Sequence, residues 1–174
     1  MHHLKVYHST TLQYELIQKF KYSDIKKIFT VDRIVLSSGM EKFSVKNFLV
    51  FSLFVQILTG QDGRIISSNA DITRSGLRIQ RGDPVGYKVT LRTKEFFTFL
   101  YKITERTNVT ANRVNLSNNK QYDSFIFNVK DLLTFAQLDK QYKYMQNLRN
   151  LNVCLTANSN KPKEWNFYLK LLKV

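Results

Sequence analysis

In Val85–Arg92 apolar and other residues take strict turns: Val85, Tyr87, Val89 and Leu91 are apolar, and Gly86, Lys88, Thr90 and Arg92 fall between them. A period of two puts successive side chains on opposite sides of an extended backbone, so this segment is a strand with one face in a core and one face out. The pattern recurs at Val31–Leu36, at Leu77–Arg81 (Leu77 and Ile79 against Arg78 and Gln80), at Ser124–Val129 and at Leu151–Thr156. Between these strands lie helical spacings. Leu12, Leu16 and Phe20 repeat every fourth residue, and Phe48, Phe51, Val55 and Leu58 form a stripe that Ser44 can cap and Gly60 can end. Phe96, Leu100 and Ile103 follow a cap at Thr93, and Trp165, Leu169 and Leu172 follow Pro162 at a first turn. Asp139–Leu148 is ambiguous. The sum is an α+β protein: an antiparallel-dominated sheet with helices packed on one face and the other face free. That free face would display Arg78, Lys88, Thr90 and Arg92, which suits contact with an RNA backbone. No repeat or Pro/Gly/Ser linker divides the chain, so residues 1–174 are expected to form one domain.

The charge says what such a face could meet. Lysine and arginine number 27 against 13 acids, a formal net charge of +14. An excess of that size repels itself in the folded state and is tolerable when a polyanion supplies the counter-charge. Nucleic acid is the leading partner, because each phosphate contact also releases condensed counterions. An anionic membrane surface is the second reading and a merely solvated basic face the third. A membrane binder needs a basic amphipathic helix with exposed aromatics, whereas the cations here fall mainly on strands and turns. The apolar stretch Phe48–Leu58 is about half of the roughly 20 residues a membrane-spanning helix needs, and reads as a buried helix.

Motifs for catalysis are missing. There is no P-loop, no dinucleotide glycine fingerprint, no HExxH and no CxxC. His2, His3 and His8 all fall at the N-terminus, where a catalytic base would have to come from a frayed end. Cys154, the one cysteine, sits in a strand pattern and reads as a small packed side chain. Trp165, Phe96 and Phe97 read as packing residues rather than base-stacking platforms. No catalytic residue, metal ligand or cofactor is expected, and no enzyme.

The stretch Ser75–Arg92, SGLRIQRGDPVGYKVTLR, narrows the choice. It resembles the central signature of the universal large-subunit ribosomal protein five family, which runs Ala/Ser–Gly–Phe–Arg–Leu–Arg–x–Gly–x–Pro–Ile–Gly–x–Lys–Val–Thr–Leu–Arg. Gly76, Arg78, Gly82, Pro84, Gly86, Lys88, Val89, Thr90, Leu91 and Arg92 fall on that pattern. Tyr14–Phe20, Ile34–Gly39, Leu58–Gln61, Phe97–Lys102 and Leu151–Thr156 are similar to further family segments, so the likeness covers most of the chain. It reads Gly82–Asp83–Pro84 as a turn joining two adjacent strands.

The resemblance implies a structural constituent of the large ribosomal subunit. Its partners would be 5S rRNA where the ribosome holds one, large-subunit rRNA, neighbouring ribosomal proteins and the P-site tRNA, in the central protuberance, with no membrane. The positions it marks for rRNA are Ser37, Gln61, Arg78, Lys88, Thr90 and Arg92. The loop it places near the tRNA elbow carries Ser68, Asn69, Thr73, Arg74 and Ser75. In that loop Asp71 and Ile72 follow Ala70 where the family usually has two lysines. Phe, Tyr, Asn, Lys and Ile are plentiful while alanine and glycine are scarce, as in A+T-rich genes. The expected home is therefore a mitochondrial ribosome, with another bacterial-type ribosome as the alternative.

Overall fold

Strand β1 (Val31–Gly39) has a hydrogen-bonded neighbour on each side in the computed structural model, which describes residues 6–39, 45–74, 77–106, 124–129, 135, 151–158 and 161–172. Along one edge β1 runs antiparallel to β5 (Pro84–Leu91), from Ile34 opposite Leu91 to Gly39 opposite Gly86. Along the other it runs antiparallel to β7 (Leu151–Ala157), from Val31 opposite Ala157 to Ser37 opposite Asn152. β2 (Arg64–Ser67) borders β5 and β6 (Ser124–Val129) borders β7, which gives the order β2-β5-β1-β7-β6 with every pair antiparallel. A separate two-stranded sheet joins β3 (Ile72–Arg74) and β4 (Leu77–Ile79).

The alternation in the sequence becomes two unlike faces. Ile34 and Leu36, Tyr87, Val89 and Leu91, Phe125, Phe127 and Val129, and Leu151, Val153 and Leu155 are all buried. Against this face pack α2 (Val45–Thr59), α3 (Thr93–Arg106) and α4 (Pro162–Leu171). Phe48 and Phe51 of α2 meet the Tyr87 ring edge-on at 5.6 and 5.7 Å, and Trp165 of α4 stacks on Phe125 at 5.9 Å. Trp165 and Phe96 are thus core residues. Each fully buried side chain of this size contributes roughly 1.5–3 kcal/mol by leaving water. α1 (Gln13–Phe20) follows a π-helical turn, His8–Leu12, and lies along α4, with Lys19 Nζ 3.7 Å above the Phe167 ring.

Three details fix the exit of α2 toward the sheet. Gly60 takes a left-handed φ of +75° and donates its N–H to Gln56 O at 2.7 Å, a helix end that a side chain would strain. Lys102 of α3 donates to Leu58 O at 2.6 Å, placing its charge at the negative end of α2. Three residues on, Gly63 donates its N–H to the Tyr87 hydroxyl, and a Cβ at Gly63 would lie 2.2 Å from the Tyr87 ring.

The structure corrects three expectations. Of the expected strand Leu77–Arg81 only Leu77–Ile79 forms, and it pairs with β3, not with β5, so Gly82–Asp83–Pro84 does not close a simple hairpin. Cys154 faces away from the core and is half-buried rather than packed inside. His8 belongs to no frayed end: it is buried, bonds the Tyr168 hydroxyl through Nε2 at 3.1 Å and meets Phe97 edge-on at 5.5 Å. The cap at Ser44, the segment Asp139–Leu148, and His2 and His3 lie outside the described residues.

Burial holds the His8 pKa below its ordinary 6.5, because the charged imidazolium would lose water between the two aromatic rings. The unfolded chain therefore binds this proton at higher pH than the native one. Stability contributed by neutral His8 is complete above pH 6.5 and falls as the pH drops through that value. The urea midpoint should fall between pH 7 and pH 5.5, and His8→Phe should flatten that fall while costing about 1 kcal/mol at neutral pH through the unpartnered Tyr168 hydroxyl. An equal slope in parent and variant would show that other groups set it.

Candidate nucleic-acid interface

Cross-strand registers turn the second sheet face into rows. The longest runs Arg64 (β2), Lys88 (β5), Ser37 (β1), Asn152 (β7), Asn128 (β6), each directly opposite the next. Five strands at about 4.8 Å spacing make this row roughly 19 Å long. Ser37 is half-buried and the other four are exposed. The neighbouring row is Thr90, Val35, Cys154 and Ile126, and beyond it Arg33, Thr156 and Ser124. Arg92, one residue past Leu91, is exposed where β5 turns into α3.

The face is electrostatically one-sided. The five strands contain Arg33, Arg64 and Lys88, and Asp32 is their only acid. Among the described residues none of Arg33, Arg64, Lys88 and Arg92 is engaged in an ion pair; the pairs formed are Lys27–Asp24 and Lys161–Glu164, away from the sheet. The cations lie toward β2 and β5, while β6 and β7 contribute uncharged amides and hydroxyls. α2, by contrast, carries Lys46 as its sole charge and turns exposed Leu49, Leu53 and Ile57 outward, a surface without affinity for phosphate.

Residues 68–74 and 77–83 form an arm that extends the β2–β5 pair. Ser68 N donates to Asp83 O at 2.8 Å and Gly82 N to Ser68 O at 2.9 Å, after which β3 and β4 continue the ladder. Two carboxylates staple it: Asp71 accepts Arg81 N–H at 2.7 Å and Asp83 accepts Gln80 N–H at 2.8 Å. Gly82, at φ +96°, makes the bend between the arm and β5.

The residues marked from the sequence fall in three places. Ser37, Lys88 and Thr90 share the open face, with Arg92 at its border. Gln61 sits in the turn after α2, half-buried, its backbone N–H bonded to Thr59 Oγ1 at 3.2 Å. Arg78 is off the five-stranded sheet: it lies on β4, exposed, opposite Thr73. In the arm, Asn69 and Thr73 are exposed, whereas Ser68 is buried and donates its hydroxyl to Ala70 O at 2.6 Å. Arg74 ends β3, and Ser75 lies outside the described residues. Reading for charge passed over Arg33, Arg64, Asn128 and Asn152. The alternation of β6 and β7 already put both asparagines opposite the core positions, and β2 is too short for its period to speak.

A half-covered antiparallel sheet, uncharged at one side and cationic at the other, defines an α+β protein with a face suited to a polyanion. No family model matches the chain. Curated relatives do, along nearly its whole length. It is 24% identical over 174 residues to the large ribosomal subunit protein uL5m of Reclinomonas americana, a mitochondrial protein, covering 94% of this chain and 92% of the relative. It is 25% identical over 166 residues to the large ribosomal subunit protein uL5 of Borreliella afzelii, covering 92% and 89%, and 25% identical to that of Blochmanniella floridana, covering 92% and 85%. Along nearly its whole length, then, the chain is similar to large ribosomal subunit proteins named uL5.

The arm offers a local test. Asp71→Ala should leave the Arg81 N–H without its acceptor, a local cost of about 1–2 kcal/mol. Amide exchange at Arg81 and along β3 and β4 should speed up by roughly tenfold while exchange in β1 and β7 stays unchanged. Unaltered exchange at Arg81 would show that the carboxylate does not hold the arm.

Proposed function

We propose that this protein is a structural component of the large ribosomal subunit whose open sheet face binds 5S rRNA in the central protuberance, with large-subunit rRNA and neighbouring ribosomal proteins alongside. It is not an enzyme; its relatives are ribosomal proteins. The observation that carries the reading is the row Arg64–Lys88–Ser37–Asn152–Asn128, which places unpaired cations and hydrogen-bonding side chains on one accessible surface. Arg64, Lys88, Arg92 and Arg33 meet phosphates, and each such contact releases counterions. Ser37 and Thr90 add directional hydrogen bonds between them, and Gln61 extends the contact past the β2 edge. The arm, with Arg74, Arg78 and Arg81 and the exposed Asn69 and Thr73, reaches toward the elbow of the P-site tRNA. One surface must accept every tRNA there, so its contacts are to backbone and shape. A mitochondrial ribosome is the favoured setting, in keeping with the A+T-rich residue usage and the uL5m relative. A bacterial-type ribosome is the second setting, favoured by equally similar bacterial relatives.

The test sediments ribosomes from the source, sequences RNA crosslinked to the protein, and measures binding of the parent and of Lys88→Ala/Arg92→Ala to a 5S rRNA transcript. Crosslinks to 5S rRNA, with tRNA at residues 67–76, are expected. The double variant should bind more weakly and lower the slope of log affinity against log salt by about 2, one per cation removed. Crosslinks to large-subunit rRNA alone would remove the 5S role, and absence from ribosomes would end the reading.

A further inference from the structure

We infer that the cross-strand pair Asn128–Asn152 reads ribose, accepting and donating hydrogen bonds to RNA 2′-hydroxyl groups, so that this end of the face distinguishes RNA from DNA. The inference rests on the open face being an RNA interface and adds what its uncharged half recognises. Asn128 on β6 stands directly opposite Asn152 on β7, and both are exposed. Directly opposed side chains have Cβ atoms about 4.5–5.5 Å apart, so the two amides act on one small patch. Asparagine is a poor strand residue, because its amide competes for the backbone. Among the described residues neither amide is engaged within the protein, unlike that of Asn158, which bonds Thr30 N and Ile28 O. Two unfavourable residues thus face each other in paired strands with no internal return.

Charge separates the two halves of the row. Arg64 and Lys88 end it at the β2–β5 side, but β6 and β7 contain no charged residue at all. A phosphate run laid across those two strands would find no cation on them. The groups it does offer, two amides with the hydroxyls of Ser124 and Thr156 beyond Ile126 and Cys154, are both donors and acceptors. A 2′-hydroxyl is also both. Base edges are the weaker match: asparagine reads adenine through the major groove, which in an RNA helix is too deep and narrow for side chains. The minor groove of RNA is wide and shallow and displays 2′-hydroxyls, and a flat sheet face fits it. Cations to one backbone and amides to the groove beside it describe one binding pose.

The experiment uses the full-length chain and a 5S rRNA transcript carrying random 2′-deoxy substitutions, separated into bound and unbound pools. The parent should reject substitution at a few clustered positions. Asn128→Ala/Asn152→Ala should lose that rejection and bind unsubstituted RNA about five- to tenfold more weakly, with an unchanged salt slope, since no counterion is released at an amide. Lys88→Ala/Arg92→Ala should keep the rejection pattern and lower the slope. A full pattern retained by the asparagine variant, or a loss that follows base identity rather than the 2′ position, overturns the ribose assignment and leaves the RNA interface standing. A parent that fails to bind the transcript overturns both.

Discussion

The register of β1 against β5 and β7 decides which side of every other strand meets the core. Side chains alternate, so a slip of one residue would bury Arg33 and Ser37 and expose Ile34 and Leu36. The apolar positions of β5 and β7 resist that slip, because Val89 and Val153 both lie opposite Leu36. One irregularity adjusts the start of the strand. Val31 and Ile34 are both buried though three residues apart, which a regular strand forbids, and the register shift between Val31 and Arg33 absorbs the odd residue, Asp32. The bulge thereby puts the only acid of the five strands at the end of β1, away from the row through Ser37.

The same economy of acids holds in the arm. Its two aspartates are occupied with the backbone amides of Arg81 and Gln80, so they hold the chain in shape. Arg78 and Arg81, both exposed, are left as its outward charges. Asp71 thus serves the arm as a backbone staple rather than as a free surface charge.

Much of this was legible in the sequence. The strands β1, β5, β6 and β7, the helices ending at Phe20 and Gly60, and the core role of Trp165 follow from period and turn chemistry. What escaped has physical reasons. β2 and β3 are four and three residues long, too short to show a period. Gly82–Asp83–Pro84 has the composition of a hairpin turn, but Gly82 and Asp83 pair with Ser68, which hands β4 to β3 and carries Arg78 off the sheet. His8 looked terminal because nothing local marks it; its partner Tyr168 is 160 residues away. The asparagines of β6 and β7 were visible in the alternation, yet a search for cations has no reason to stop at them.

That the cations do not extend across the whole row has a cause in the free protein. Arg64 and Lys88 stand directly opposite each other, and like charges so placed destabilise a sheet by a few tenths of a kcal/mol or more. A face with cations on all five strands would multiply that repulsion in a chain already at +14. Confining charge to β2, β5 and Arg33 limits the cost until a polyanion relieves it. It also gives the surface a direction. A uniformly cationic face would hold a backbone in many registers, since phosphates are alike. Under the proposed reading, a face cationic at one end and amide-lined at the other favours an RNA helix with its backbone on β5 and its groove over β7 and β6.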